Sequence, residues 1–255
     1  MKYLNYHYFK LMIKAVVSVV TMNWNKGFCP VCGKKTAFLM LDDWLRDYYR
    51  CVYCLSIPRQ RALKIVLDQV CSDWKNKSIH ESSPNGPLSK RISEQCRGYI
   101  GSQYYTDIPC GTYNGSFVSQ NLEQQSFPDQ QFDIVITQDV LEHVIHPAKA
   151  FSEIERTLKP GGIHIFTIPI NFLKKTEIRV VDIGDRLEYL KEPIYHKNPV
   201  DSNGALVITD WGNDIADVIQ SCSNMTTEIF SFKDLYHGVD GQYLEVLVSK
   251  KSDQY

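Results

Sequence analysis

The chain of 255 residues lacks a long apolar run and an excess of either charge. The apolar stretch of residues 11–20 is interrupted by Lys14 and is too short for a transmembrane helix. No A-x-A-like cleavage site follows it, so a secretory signal is not predicted. The formal net charge is −1, which provides no global basic field for nucleic acid. We expect no membrane span and no nucleic-acid partner.

The dense cysteine pattern of a small secreted disulfide domain is also missing. Of the 8 cysteines, four are scattered, and the others form two C-x-x-C pairs, Cys29/Cys32 and Cys51/Cys54. Two such pairs at this separation predict a tetrahedral zinc site with four thiolate ligands. Two buried reduced pairs or a redox pair are the alternatives. Because metal thiolates require a reducing compartment, we expect a cytoplasmic protein.

The order of segments predicts a small N-terminal unit followed by a larger domain. Residues 1–26 form an N-terminal helix or extension, residues 27–58 a zinc-ribbon-like unit with the four cysteines, and residues 59–77 a linking helix. Residues 78–255 form the larger domain, with an insertion at about 170–210. Met22, just before the cysteine unit, leaves open that the natural start lies there.

Strand-like and helix-like segments alternate from Ile79 onward, which is typical of a βαβ sheet. Residues 132–137 form an almost continuous apolar run, as expected for a strand buried on both faces. Pro147 suits the first turn of a helix, and Lys159 to Gly162 should end that helix before a second buried strand at 163–168. We predict an α/β fold with helices on both faces of the sheet.

Two stretches in this domain carry a family resemblance. Phe132-Asp-Ile-Val-Ile-Thr137 is followed by Leu141-Glu-His-Val144, and then by Leu158-Lys-Pro-Gly-Gly162. In their order and spacing these segments resemble the class I S-adenosylmethionine-dependent methyltransferases, of the type 11-like group. The resemblance implies a Rossmann-like sheet and an enzyme that uses S-adenosylmethionine.

The resemblance also implies a cofactor site, although one loop departs from the family pattern. Most members have several glycines after the first strand of the domain, but this chain has Glu81-Ser-Ser-Pro-Asn-Gly-Pro87. The polar residues aligned with cofactor-binding positions could instead cap loops. The positions that we expect to bind the cofactor are Glu81, Ser82, Ser83, Gly86, Gln103, Asp107, Asn121, Leu122 and Gln138.

The candidate catalytic residues follow the fourth strand of the domain, where open α/β sheets place their reaction centres. His143 is a candidate general base, since its ordinary pKa lies near neutrality. Asp139 could orient the acceptor or the sulfonium. Tyr195, His196 and Trp211 are candidate substrate contacts. A structural histidine and a core tryptophan are the alternatives for His143 and Trp211.

Three functions remain open from the sequence. The first is methyl transfer to a small molecule or saccharide, and the second is a non-catalytic, cofactor-binding or scaffold role with a degenerate glycine loop. The third is nucleic-acid methylation, with the cysteine unit as a grip. The local basic cluster, which would serve that grip, is predicted to be a solvated face; it comprises Arg46, Arg50, Arg59, Arg61 and Lys64.

Overall fold

The computed structural model describes residues 2–196 and 204–253, with side chains described from Lys10 onward. Residue 1 of the predicted N-terminal segment, residues 197–203 of the predicted insertion and residues 254–255 at the end of the larger domain lie outside the described residues. The boundaries that we assigned to the domains remain predictions.

The described chain contains both helices and strands. The helices are α1 Lys2–Val20, α2 Leu45–Tyr48, α3 Pro58–Val70, α4 Gly86–Gln95, α5 Pro147–Thr157 and α6 Ile215–Cys222. The strands are β1 Trp24–Cys29, β2 Lys34–Met40, β3 Tyr49–Cys51, β4 Ser78–Ser82, β5 Gly98–Gln103, β6 Tyr113–Asn114, β7 Phe117–Ser119, β8 Phe132–Gln138, β9 Leu158–Thr167, β10 Ile170–Asn171, β11 Glu177–Ile178, β12 Val180–Asp182, β13 Leu187–Tyr189, β14 Tyr195–His196, β15 Ala205–Leu206, β16 Thr209–Gly212, β17 Met225–Phe230 and β18 Val246–Lys251.

An eight-stranded sheet forms the centre of the larger domain, in the order β17-β18-β9-β8-β4-β5-β7-β6. Strands β4, β5, β7, β8 and β9 run parallel, while β18 is antiparallel to β9. From β4 the chain proceeds outward through β5 and β7, and then returns to β8 on the other side of β4. The carboxyl ends of β4 and β8 therefore flank a topological switch point, where open α/β sheets bind ligands.

Two apolar cores cover the two faces of this sheet. One contains Leu63 and Val66 of α3 and Ile92 of α4, packed with Ile134 and Ile136 of β8. The other contains side chains of α5 and α6 packed with alternate residues of the same strands. Because β8 is covered on both sides, its apolar run was readable from the sequence.

The four-cysteine unit is a three-stranded antiparallel sheet, β1-β2-β3, which the C-terminal part of the chain covers. The Phe28 backbone amide donates to the Tyr236 carbonyl at 2.8 Å. A Cβ at Gly238 would lie 2.7 Å from the Phe38 ring, so only glycine allows this close approach. Residues from opposite ends of the chain thus complete one structural unit.

The basic cluster corrects a prediction, because it is not a solvated face. Arg46, Arg61 and Lys64 are only 7%, 0% and 7% exposed. The Arg61 guanidinium donates to the Tyr49 and Gly238 carbonyls at 2.7 and 2.6 Å. These backbone acceptors compensate the buried charge, so the arginine ties α3 to both parts of the cysteine unit.

Two elements of the larger domain also differ from the sequence prediction. Strand β9 begins at Leu158, five residues before the predicted start at Ile163, because Leu158 pairs with Phe132 on the far side of an irregularity in the register. Strand β17 was not predicted. It pairs with β18 at the edge of the sheet.

The predicted insertion contains short strands that pair in three small sheets. Strand β16 pairs with β10 and β11, and the Ile208 amide donates to the Glu142 carbonyl at 2.7 Å. The β14–β15 hairpin brings His196 opposite Ala205. These connections place the insertion over the loop that follows β8.

Candidate functional site

Glu81 lies at the end of β4, at the switch point, and is 1% exposed. Its carboxylate accepts hydrogen bonds from Ser89 Oγ at 2.6 Å, Tyr99 OH at 2.8 Å and Gln138 Nε2 at 2.7 Å. Burial raises the pKa of Glu81, although these donors oppose the shift. All three donors are neutral, so the carboxylate has no cationic hydrogen-bond partner among the described residues.

Gln138, at the end of β8, offers an acceptor beside this carboxylate. Its Oε1 is buried and has no hydrogen-bond partner within the described part of the chain. Buried amide oxygens without a partner are uncommon and need an explanation. A buried carboxylate and an amide oxygen are both hydrogen-bond acceptors, so together they suit an ammonium group, which has only donors.

The loop from Ser82 to Gly86 has unusual backbone geometry. Ser83 has φ of 54°, and its amide donates to the Ser102 carbonyl at 2.8 Å. Pro84 lies against Gly101 of β5, where an added Cβ would be 3.2 Å from the proline ring. A Cβ at Gly86 would lie 2.5 Å from Gln60 Nε2 of α3. The glycine therefore makes room for a side chain of the protein itself.

The other predicted cofactor residues follow β5 and β7. Gln103 ends β5 and is half-buried, whereas Asp107 is exposed in the next loop. Asn121 Oδ1 accepts from the Glu123 amide at 2.9 Å, which is a loop-capping contact. Leu122 is buried in the core that contains α5.

Asp139 is held by cations from the N-terminal part of the chain. Arg46 Nη2 donates to its carboxylate at 2.7 Å, Arg59 Nη1 lies 3.3 Å away, and Thr167 Oγ1 donates at 3.0 Å. Burial alone would raise the pKa of Asp139, but Arg59 and Arg46 outweigh it and hold that pKa below its usual range. No local pattern in the sequence indicates that these two arginines contact Asp139, since they lie more than 75 positions away.

Glu142, His143 and His196 lie together beyond β8, beside this ion pair. The three potential ligand atoms are all within 4.8 Å of one another. Burial, followed by the charge of Asp139, raises the pKa of Glu142 to about 8. Burial also lowers the pKa of His143, whose Nδ1 lies 2.8 Å from the Leu206 carbonyl oxygen.

The remaining candidate substrate residues are placed differently. Tyr195 is exposed on β14, next to His196. Trp211 is 2% exposed in the core and contacts the Phe151 ring edge-to-face. It is a core side chain, so we do not retain it as a substrate contact.

The four cysteines of the N-terminal unit lie in one cluster. Cys29 Sγ is 3.7 Å from Cys54 Sγ, and Cys32 Sγ is 3.9 Å from Cys51 Sγ. Tetrahedral zinc with bonds of about 2.3 Å separates its sulfur ligands by about 3.8 Å, so the cluster fits zinc. Without a cation, burial and the neighbouring sulfurs raise the pKa of Cys32 to about 11.

Both C-x-x-C segments end in the same backbone turn. The Gly33 amide donates to the Cys29 carbonyl at 2.8 Å, and the Leu55 amide donates to the Cys51 carbonyl at 2.9 Å. Both residues have positive φ, at 69° and 62°. Such turns aim two sulfurs of each pair at one point.

A separate cavity of about 410 Å³ lies between α4, β5 and the β6–β7 hairpin. Of the predicted cofactor residues only Gly86 lines it. In the part of the chain that the structure describes, no helix has the length and apolar character needed to cross a bilayer.

Part of the larger domain is similar to known methyltransferases. Residues 98–166 match the family model described as a methyltransferase domain. An uncharacterized methyltransferase of Schizosaccharomyces pombe is 45% identical over 49 residues, which are 19% of this chain and 18% of that protein. The chain thus aligns with less than a fifth of the curated relative.

One solved structure shares the architecture. The PH0226 protein of Pyrococcus horikoshii has a TM-score of 0.50 and 16% identity, covering 76% of this chain and 90% of that one. An S-adenosylmethionine-dependent methyltransferase of Mesorhizobium loti has a TM-score of 0.49 and 13% identity, covering 74% and 98%. The predicted Rossmann-like α/β fold is confirmed. Within this fold, residues 98–166 are similar to the methyltransferase family.

Proposed function

We propose that the protein transfers a methyl group from S-adenosylmethionine to a small molecule or saccharide. The matched methyltransferase domain supports the reaction class. The observation that carries the proposal is the pair of buried acceptors at the switch point, Glu81 and Gln138 Oε1, which have no cationic hydrogen-bond partner among the described residues.

These two hydrogen-bond acceptors fit the amino group of the cofactor's methionine part. Bound there, S-adenosylmethionine would supply an electrophilic methyl group on a sulfonium. Glu81 and Gln138 would accept hydrogen bonds from the ammonium group, and Ser83 would shape the loop beside it. Gln103, Asp107 and Asn121 remain candidates for the nucleoside part, because they follow the carboxyl ends of the neighbouring strands.

The acceptor would lie on the other side of the crevice, near His143, His196 and Tyr195. Asp139 is already engaged by Arg46, so its role would be to hold the loop after β8 in place. His143 Nε2, the ring nitrogen that the Leu206 carbonyl leaves free, could take a proton from an acceptor hydroxyl. An exposed tyrosine beside the histidines suits a polar, ring-shaped acceptor such as a sugar.

The cysteine unit would hold a structural zinc ion. Four thiolate ligands leave no open position for chemistry at that metal. The unit would therefore support the crevice indirectly, by fixing α2 and α3, which carry Arg46 and Arg59.

Calorimetry with S-adenosylhomocysteine tests the cofactor site. We expect the wild-type chain to bind it and Gln138→Leu to bind it at least about tenfold more weakly, since a hydrogen bond to a charged group contributes about 1.5–3 kcal/mol. Gln69→Leu, on the exposed end of α3, is the matched control and should bind normally. Absence of heat with the wild-type chain would favour the non-catalytic alternative.

Turnover is measured as release of S-adenosylhomocysteine with a panel of monosaccharides and hydroxylated small molecules. His143→Ala should slow transfer while the affinity for S-adenosylhomocysteine stays within about twofold. Unchanged turnover in this variant would remove His143 from the mechanism.

A further inference from the structure

The cluster of Glu142, His143 and His196 contains more acceptors than donors. Glu142 is 2% exposed, and neither of its carboxylate oxygens has a hydrogen-bond partner among the described residues. Leaving such a group unpaired in the interior is costly. A cation bound next to this carboxylate would compensate its charge.

The tautomer of His143 makes the shortage of donors worse. Its Nδ1 lies 2.8 Å from the Leu206 carbonyl oxygen, which can only accept, so the ring proton is on Nδ1. In the neutral ring Nε2 then carries a lone pair, and it lies 3.8 Å from Glu142 Oε1. A backbone carbonyl that orients the second nitrogen in this way is typical of a metal-ligating histidine.

His196 completes the arrangement from the insertion. Its Nδ1 lies 3.9 Å from Glu142 Oε1, and its ring contacts that of His143 at a centroid distance of 5.1 Å. Tetrahedral ligands at about 2.0–2.1 Å from one metal are roughly 3.3–3.4 Å apart, so each histidine nitrogen would need to approach Glu142 Oε1 by about half an ångström to share an ion with it. His196 is partly exposed, which leaves a path from solvent.

We propose that Glu142, His143 and His196 bind one divalent transition-metal ion. Two imidazoles and one carboxylate are the ligand set of several catalytic zinc and non-haem iron sites, which keep further positions open. Arg46 and Arg59 also act on Glu142, but their nearest carboxylate oxygen is that of Asp139. The charge of Asp139 balances one of the two arginines. The metal ion and the other arginine would therefore compete for the Glu142 carboxylate.

The use of this ion in catalysis rests on the proposed function. An acceptor hydroxyl bound at an open position would lose its proton to solvent more readily. Its oxygen would then form the bond to the methyl carbon as the carbon–sulfur bond breaks, and the electron pair of that bond would remain on sulfur. His143 would then act as a ligand in place of a general base.

Cobalt binding to the full chain tests the site. After dialysis against a chelator, the metal content of the cysteine unit is measured, and Co²⁺ is added in a calorimeter and a spectrophotometer without cofactor. We expect one further cobalt per chain, whose visible absorption lacks the sulfur charge-transfer band of a thiolate site. His196→Ala and Glu142→Gln should weaken this binding by at least tenfold.

His237→Ala is the matched control, because His237 is also paired with a carboxylate, that of Asp234 at 2.6 Å, but belongs to no group of three potential ligands among the described residues. It should leave cobalt binding unchanged. Absence of a further cobalt, as expected if Glu142 only carries a proton, or equal binding in His196→Ala would overturn the proposal. Binding of S-adenosylhomocysteine is measured separately, so a failure of the methyltransferase proposal would not be mistaken for a failure of the metal site.

Discussion

The four-cysteine unit and the crevice beyond β8 satisfy their buried ionisable groups in different ways. In the cysteine unit, sulfurs from different C-x-x-C segments lie 3.7 and 3.9 Å apart. A backbone turn fixes each of the two segments. In the crevice, Glu142 and Gln138 Oε1 have no hydrogen-bond partner in the described chain. The first region fits one ion, whereas the second contains buried acceptors without a partner in the described chain. This contrast is the one expected between a structural metal site and a ligand-binding site.

The largest effect should follow from breaking the cysteine unit. Cys51→Ser removes one of four ligands, and structural zinc contributes on the order of 10 kcal/mol to folding in small domains. We expect loss of the metal and loss of hydrogen-exchange protection over residues 27–58. Cys222→Ser, outside the unit, is the control and should keep both. A metal-free variant with full protection would contradict the comparison.

The ion pair that connects the two regions should come next. Arg46 and Asp139 are mostly buried, with side-chain exposures of 9% and 17%. A double-mutant cycle of Arg46→Ala and Asp139→Ala in urea should give a coupling of at least about 1.5 kcal/mol. The exposed Lys90–Glu94 pair should give less than about 0.5 kcal/mol. Equal couplings would mean that the two regions are not energetically linked.

An effect of similar size concerns acid, which should weaken the sheet core independently of the cysteine unit. Burial lowers the pKa of His80 and His164 from 6.5 to about 3, so both are neutral when folded and take up a proton on unfolding. Their contribution is present above pH 6.5 and is lost as the pH falls toward 3. At pH 5 each should cost about 2 kcal/mol relative to pH 7.

Denaturant titrations at several pH values check this expectation in a variant without one histidine. His164→Phe combined with Thr137→Val removes His164 and its hydrogen-bond partner together, so no buried polar atom is left unpaired. Its stability should fall by about 2 kcal/mol less than that of the wild type between pH 7 and pH 5. An unchanged pH dependence would show that His164 is protonated in the folded chain.

The smallest effect separates the two C-x-x-C turns. Gly33→Ala places a Cβ at φ of 69° with no atom within 4 Å, so only backbone strain is added, and stability should fall by about 1 kcal/mol. Leu55→Gly relieves the same strain at φ of 62° and should raise stability by up to about 1 kcal/mol. Thermal unfolding measures both. A loss in each variant would show that the Leu55 side chain stabilises its turn.

The regular parts of the fold could be predicted because buried strands and helices show a recognisable pattern of apolar residues along the sequence. Residues 132–137 are apolar since β8 is covered on both faces, and they form the strand that the pattern indicated. Strand β17 is half-exposed and contains two threonines and a glutamate, so it shows no such run. Lys159 to Gly162 have the composition of a turn, and they form the irregularity between Leu158 and Ile163, which both pair with β8 and so lie in β9.

The candidate site could be predicted only where neighbours in sequence remain neighbours in space. The cysteine pairs and the Gln138 to His143 segment are of this kind. Arg46 and Arg59 reach Asp139 from α2 and α3, and nothing in their local composition indicates a partner about 80–95 positions away. Glu142 belongs to the segment that resembles the methyltransferases, but its burial without a hydrogen-bond partner among the described residues is visible only in the structure.

The contact between Phe28 and Tyr236 has a consequence for how the chain matures on the ribosome. During synthesis the four cysteines can come together early. Phe38 stays uncovered and Arg61 lacks the Gly238 acceptor until residue 238 has left the ribosome. Synthesis at about 5–20 residues per second leaves that surface open for roughly ten seconds or more. Chaperone capture during translation should therefore centre on residues 27–61.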